Sequence, residues 1–192
     1  MKSIERKEAI HKIKNGFPII FQTDTLPAIG CMPEYYEKIY DIKKRDRNKA
    51  LILMGAHLDQ LIKYVHNSAV DDFEKVAIKY WPGAITFIVP ISDSQNLNFI
   101  TTKNTIGLRI PNLDSAKDFI KNTGPLLTSS ANISGFITST TAKEVSMDLP
   151  KIDLLGPIPW DICSGRASTI VSWISKGKWR LIRKGQVSIS EC

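Results

Sequence analysis

Gly124-Pro125-Leu126-Leu127-Thr128-Ser129-Ser130-Ala131-Asn132-Ile133-Ser134-Gly135 is the stretch on which the fold turns. Gly124-Pro125 breaks a preceding helical run, and Leu126-Leu127-Thr128 reads as a short buried strand. Small polar residues then lead toward another helix. Strand, polar turn and helix in succession form the unit of an α/β sheet, whose ligands collect at strand ends. The alternation continues on both sides. Toward the N-terminus, Ser3 is expected to cap a helix carrying Ile4, Ala9, Ile10 and Ile13, closed by Asn15-Gly16. Residues 17–21 form an apolar run with Pro18 inside it, so they read as an edge strand or a strand start. Pro33 suits the first turn of a helix with Tyr36, Ile39 and Tyr40 on one face.

Residues 51–54 form a further strand, and Leu58, Leu61, Ile62 and Val65 a short helix. Ser68 is expected to cap a helix that turns Val70, Phe73, Val76, Ala77 and Tyr80 inward. Residues 84–90 and 105–110 are strand-like, and Asp114 is expected to cap a helix through Phe119 and Ile120. Toward the C-terminus, Thr141-x-x-Glu144 is a capping box, followed by strands at 152–155, 168–173 and 179–183. The β-rich tail adds antiparallel neighbours, so the expected architecture is one α/β domain over residues 1–192. Its twisted sheet is mixed, parallel and antiparallel, and flanked by helices.

Composition sets the outer limits. Apolar residues make up 43% and charged residues 23% of the 192, a globular balance that excludes disordered and collagen-like chains. Lys plus Arg number 26 against 19 Asp plus Glu, a formal charge of 26 − 19 = +7, which calls for an anionic partner without choosing one. Cys31, Cys163 and Cys192 form no C-x-x-C pair. With His11, His57 and His66 they show no zinc-type spacing. The N-terminus has no apolar h-region and no apolar run reaches membrane-spanning length, so a cytoplasmic protein with no membrane association is expected.

Four polar segments could carry chemistry, each against a plainer alternative. Gln22-Thr23-Asp24-Thr25 follows a strand and offers hydroxyls and a carboxylate, or simply a turn. Lys43-Lys44-Arg45-Asp46-Arg47-Asn48-Lys49 could hold phosphates, or be a solvated helix end. Thr128 to Gly135 could line a site with hydroxyls, or only cap a helix. It matches neither the Walker A pattern nor G-x-S-x-G. Gly165-Arg166-Ala167-Ser168-Thr169 offers a second cation or an ordinary turn into a strand.

The order of these segments is more specific than any one of them. Gln22-Thr23-Asp24-Thr25, then Lys43-x-Arg45, Trp81-Pro82-Gly83-Ala84-x-Thr86, Gly107-Leu108-Arg109-Ile110-Pro111, Ser130-Ala131-Asn132-x-Ser134-Gly135 and Ser168-Thr169-Ile170-Val171 together resemble the YrdC family. The resemblance runs from about residue 4 to 185. The family's K-x-R…S-x-N signature is matched by Lys43, Arg45, Ser130 and Asn132. The resemblance implies a threonylcarbamoyl-AMP synthase with a basic concave face. Such an enzyme condenses L-threonine, bicarbonate (or CO2) and ATP, and a separate complex passes the product to tRNA. It implies Thr23, Thr25 and Ser130 around threonine, and Lys43, Arg45, Arg109, Ser129, Asn132 and Arg166 around ATP. Lys43, Arg45, Ser130 and Asn132 are the catalytic set. Mg²⁺ would come with the ATP phosphates and not from a resident metal site, and no tightly bound organic cofactor is implied.

Against the family pattern P-T-[DE]-T-x-[YF]-G-[LIV]-G, this chain has Gln22, Pro27 and Ala28 where proline, an aromatic and a glycine are usual, and Asp46 where proline commonly follows K-x-R. Pro27 brings no ring to the loop, and Ala28 would be strained if its position required positive φ. The alternative to the enzyme is a module of the same fold that binds RNA or nucleotide without turnover. Direct tRNA binding stays open at this point. The remaining cations Lys178, Arg180, Arg183 and Lys184 in the tail have no assigned role.

Overall fold

The computed structural model describes residues 2–94, 104–161 and 163–189. Cys192 lies outside the described residues. Among the described residues ten strands form one continuous sheet: β1 (Ser3–Ile4), β2 (Ile19–Phe21), β3 (Ala28–Cys31), β4 (Ile52–Met54), β5 (Ile85–Pro90), β6 (Thr105–Arg109), β7 (Leu126–Ser130), β8 (Leu154–Leu155), β9 (Thr169–Ser175) and β10 (Lys178–Arg183). Their spatial order is β1-β8-β2-β3-β7-β4-β6-β5-β9-β10. Among the described residues four pairings are parallel and five antiparallel, so the sheet is mixed, as the sequence implied. The helices are α1 (Arg6–Lys14), α2 (Glu37–Lys43), α3 (Leu58–Leu61), α4 (Val70–Tyr80), α5 (Asp114–Thr123) and α6 (Ala142–Asp148). None is long and apolar enough to cross a membrane.

Strand alternation sorts the core into two layers. Ile20, Ile29, Leu53, Leu108 and Leu127 point to one face, where they meet Ile39 of α2, Phe73 and Val76 of α4 and Val145 of α6. Their sequence neighbours Ile19, Phe21, Ala28, Met54 and Leu126 point to the other face and are covered by Ala9 and Ile13 of α1 and Phe119 and Ile120 of α5. Among the described residues, β5, β6, β9 and β10 contribute nothing to this second layer. Helices therefore cover that face over only half of the sheet, and the uncovered half borders the site.

Several local expectations are corrected. Ser3 caps no helix: it lies in β1, paired with Leu154, and α1 starts after Glu5 without a side-chain cap. Ser68 bonds the ring of His66, and Ala69 stands at the head of α4. Asp114 is the first residue of α5, after Leu113. The strand expected at 17–21 starts only at Ile19, and Phe17 stays exposed. Strand β3 had no signal of its own. Four successive buried residues show no alternation, and Gly30 is there because a Cβ would come 2.9 Å from the ring of Phe21. The Thr141 capping box is present, with Glu144 N–H donating to Thr141 Oγ1 at 3.2 Å and Thr141 N–H to Glu144 Oε2 at 3.2 Å.

The β9–β10 hairpin is fixed from two sides. Asp72 of α4 accepts from Trp173 Nε1 at 2.9 Å and from the turn amide of Gly177 at 2.7 Å, which lowers its pKa. Beyond β10 the chain doubles back over the entrance to β9, where Thr169 Oγ1 donates to Val187 O at 2.6 Å. Gly185 makes this crossing, since a Cβ there would stand 2.3 Å from Thr169 N and 2.4 Å from Ala167 O, both rigid backbone. Gly185→Ala is therefore expected to cost about 1–3 kcal/mol of stability through overpacking, read as a lowered midpoint in denaturant unfolding.

Candidate active site

A cavity of about 190 Å³ opens where the ends of β3, β7, β4 and β6 meet the entrance to β9. The hydroxyl-bearing residues Thr25, Thr128, Ser130, Thr138 and Ser168 line it, with Ser129 beside them. Three guanidinium groups converge on it, those of Arg45, Arg109 and Arg183, and Pro27, Ala28, Ile52 and Met54 form the apolar floor. The larger hollow between α1, α5 and Pro157 instead mixes Arg6 and Lys7 with Glu5 and Asp118. A polar pocket at strand ends with three fixed cations suits a small polyanion.

Arg109 is 3% exposed and lies at the end of β6. Its Nη2 donates to Asp24 Oδ1 at 2.7 Å, its Nη1 to Thr25 Oγ1 at 2.8 Å, and its Nε to Gly83 O at 3.2 Å. Burial lowers the guanidinium pKa and the Asp24 carboxylate opposes that shift, so the group stays a cation at neutral pH. Thr23 does not reach the cavity. Its hydroxyl is spent inside its own turn, accepting from the Thr25 and Leu26 amides and donating to Leu26 O at 2.7 Å. Thr23 thus shapes the loop that presents Thr25.

Lys43 and Arg45 diverge. Lys43 is the last residue of α2, Lys44 takes the left-handed conformation at φ 50°, and Arg45 lies beyond that reversal. Arg45 enters the cavity wall with its Nε and Nη2 donating to Lys49 O at 3.0 Å and Ala50 O at 2.9 Å. Lys43, 1% exposed, passes behind the Ser130 strand end and donates to Ser130 O and, at 2.7 Å, to Asn132 O. Asn132 is likewise buried behind the wall. Its Oδ1 accepts from Ser130 Oγ at 2.7 Å, and its Nδ2 donates to Ile133 O at 2.9 Å and Phe136 O at 3.0 Å. Of the signature residues, Arg45 and Ser130 therefore touch the cavity, while Lys43 and Asn132 brace it.

Arg166 is exposed and its Nη2 donates to Gly185 O at 3.2 Å, outside the cavity; from its segment Ala167 and Ser168 are what line the site. The third cation is Arg183, which the sequence left unassigned. Leu181 pairs with Val171 and Arg183 with the adjacent Ile170, so Ile182 is an extra, bulged residue. Strict alternation would turn Arg183 to the helix-covered face with Leu181, but the bulge returns it to the open face beside Arg109, a common use of bulges near sites. Its Nη2 donates to Ser168 O at 2.9 Å, and burial of the guanidinium head lowers its pKa. Nothing in the sequence marks a bulge, which is why this residue was missed.

The departures from the family motif also find their places. Ala28 is a paired strand residue opposite Phe21 and Ser130 and is not among the positive-φ residues, so it is unstrained. Pro27 gives its carbonyl to the Ala131 amide at 2.8 Å and its ring to the floor. Asp46 turns its carboxylate to the Asn48 amide at 2.9 Å and away from the cavity. Gln22 reaches the Asp161 carbonyl.

The Sua5/YciO/YrdC family model, described as "Telomere recombination", matches residues 11–185. A protein named threonylcarbamoyl-AMP synthase from Idiomarina loihiensis is 31% identical over 144 residues, covering 72% of this chain and 77% of that protein. Among solved structures, P. abyssi Sua5 complexed with L-threonine aligns with a TM-score of 0.85 at 25% identity over 96% of this chain. This chain spans only 57% of that protein's length. E. coli YciO, at 22% identity, aligns with a TM-score of 0.79 over 96% of this chain and 94% of its own, a likeness of fold.

Asp24→Ala would leave Arg109 charged and buried with no counterion. The expected loss is about 3–5 kcal/mol, seen as a fall in the unfolding midpoint, and an unchanged midpoint would show that the pair does not hold the loop.

Proposed function

Because the chain belongs to the Sua5/YciO/YrdC family, we propose that it is an L-threonylcarbamoyladenylate synthase, a nucleotidyltransferase acting in the cytoplasm. The observation that carries this reading is the single cavity in which Arg45, Arg109 and Arg183 face a wall of serine and threonine hydroxyls. The neutral amine of threonine attacks bicarbonate or its CO2 equivalent, forming a carbamate; with bicarbonate, water is released. A carbamate oxygen then attacks the α-phosphorus of ATP, the bond to the bridging oxygen breaks, and pyrophosphate leaves. Chemistry of this kind needs position and countercharge more than proton shuttling.

The residues divide by charge. Arg109 already shares its charge with Asp24 and suits a singly charged carboxylate, with Thr25 and Ser130 within the same wall for the amine and hydroxyl of threonine. Among the described residues Arg45 and Arg183 have no carboxylate hydrogen-bond partner, and they suit the polyphosphate. Among the described residues the cavity lining contains no carboxylate, and no cluster of three or more His, Cys, Asp or Glu occurs. Mg²⁺ would come held on the ATP phosphates, where it would offset their charge. The product would pass to the complex that modifies tRNA, and direct contact with tRNA is a further role for the +7 charge.

The test is to mix the protein with ATP, Mg²⁺, bicarbonate and threonine and to follow pyrophosphate and the carbamoyl-adenylate. Turnover is expected only with all four, and chelation of Mg²⁺ should stop it. Adenylate formation with a different amino acid alone would overturn the threonine assignment. Arg45→Ala should lower kcat/KM by about 10²–10³, and an unchanged value would remove Arg45 from the site.

A further inference from the structure

Lys43 carries a buried charge that the cavity does not use. Among the described residues no carboxylate is hydrogen-bonded to its ammonium; its acceptors there are Ser130 O, Asn132 O at 2.7 Å and, more distantly, Asn132 Oδ1 at 3.4 Å. Burial and the Arg45 guanidinium press its pKa down to about 7, and Asp148 acts in the opposite direction. The main chain of the same residue repeats the contact, with Lys43 O accepting from the Ser134 amide at 3.0 Å. The loop is held on its other flank by Pro27 O, which accepts from Ala131 N–H at 2.8 Å. Asn132 extends the hold to Phe136 O. A phosphate oxygen could reach Lys43 Nζ only by displacing these carbonyls, leaving buried acceptors without donors, and each such vacancy is costly.

We propose that Lys43 is a positioning residue: it locks the Ser129–Asn132 wall of the cavity from behind, and it does not bind phosphate. The countercharge then falls to Arg45, Arg109 and Arg183, on the far side of that wall. The left-handed residue Lys44 is what allows two cations only two residues apart to serve opposite sides of one strand end. This rests on the reading of the cavity as a nucleotide site.

Two variants separate the roles, Lys43→Met, which removes the donors, and Lys43→Gln, which keeps a neutral donor. Three quantities are measured on the full chain: ATP–Mg²⁺ binding without bicarbonate by calorimetry, amide hydrogen exchange across residues 130–136, and threonine-dependent turnover. In Lys43→Met the loop amides are expected to exchange about tenfold faster and kcat to fall by about 10², with ATP affinity within about threefold of wild type. Lys43→Gln should recover part of the protection and part of kcat. A tenfold loss of ATP affinity in either variant overturns the proposal, and so does loop exchange that stays at the wild-type rate. Should Lys43→Met not fold, Lys43→Gln decides by the same two readings. Should the wild type not turn threonine over, the proposed reaction fails, while exchange and ATP binding still decide the role of Lys43.

Discussion

Burying Arg109 at the end of a central strand ties three segments distant in sequence to one another. Its guanidinium takes Asp24 and Thr25 from the loop after β2 and Gly83 from the turn before β5, all from its place on β6. A guanidinium this far from water is tolerated only where its donors are met, since desolvation of an unpaired charge costs several kcal/mol. The pair with Asp24 is thus less a source of net stability than a condition on geometry. Once the donors must be met, the 22–27 loop can sit in one place only. Thr25, Pro27 and Ala28 are placed with it, and through Pro27 O so is the Ala131 amide at the far end of β7.

From that anchor the rest of the site follows by packing. Helices α1 and α5 cover one face of the sheet only as far as β4, so the open strands beyond expose polar residues without loss of core. Arg109 lies at that border. The hairpin β9–β10 brings Arg183 to the same border, and it can do so because Asp72 pins its turn and Gly185 lets the returning chain lie directly on β9. Three cations held near one another repel, and the protein accepts this because each has backbone oxygens or a carboxylate as partners. An anion placed among the three would relieve that repulsion.

The loop after β7 has a different logic. It is rich in small polar residues that could fold back on themselves in many ways, and it is held by internal bonds together with the burial of Ala131 in the core. Asn132 satisfies its own neighbours, Ser130 donates to Asn132, and Lys43 fills the space beneath. Its hydroxyls can therefore face the cavity at fixed positions without any large side chain to hold them.

Element types were legible in the sequence because they are local. Periodicity, breakers and one capping box gave most helices and strands, and the order of the polar segments gave the family. The sequence by itself also determined which residues are polar at strand ends, and so that Arg45, Arg109, Thr25, Ser129 and Ser130 would gather where the strands converge. What it could not determine were the side-chain directions that depend on a partner strand or on burial. A bulge is defined only relative to the strand opposite, so the turning of Arg183 into the site, and the exclusion of Arg166, exist only in the paired hairpin. Whether a lysine two residues from an arginine meets a ligand or a backbone carbonyl depends on which side of β7 each lies. The left-handed residue between them and the packing of α2 decide that, and they place Arg45 in the cavity and Lys43 behind its wall.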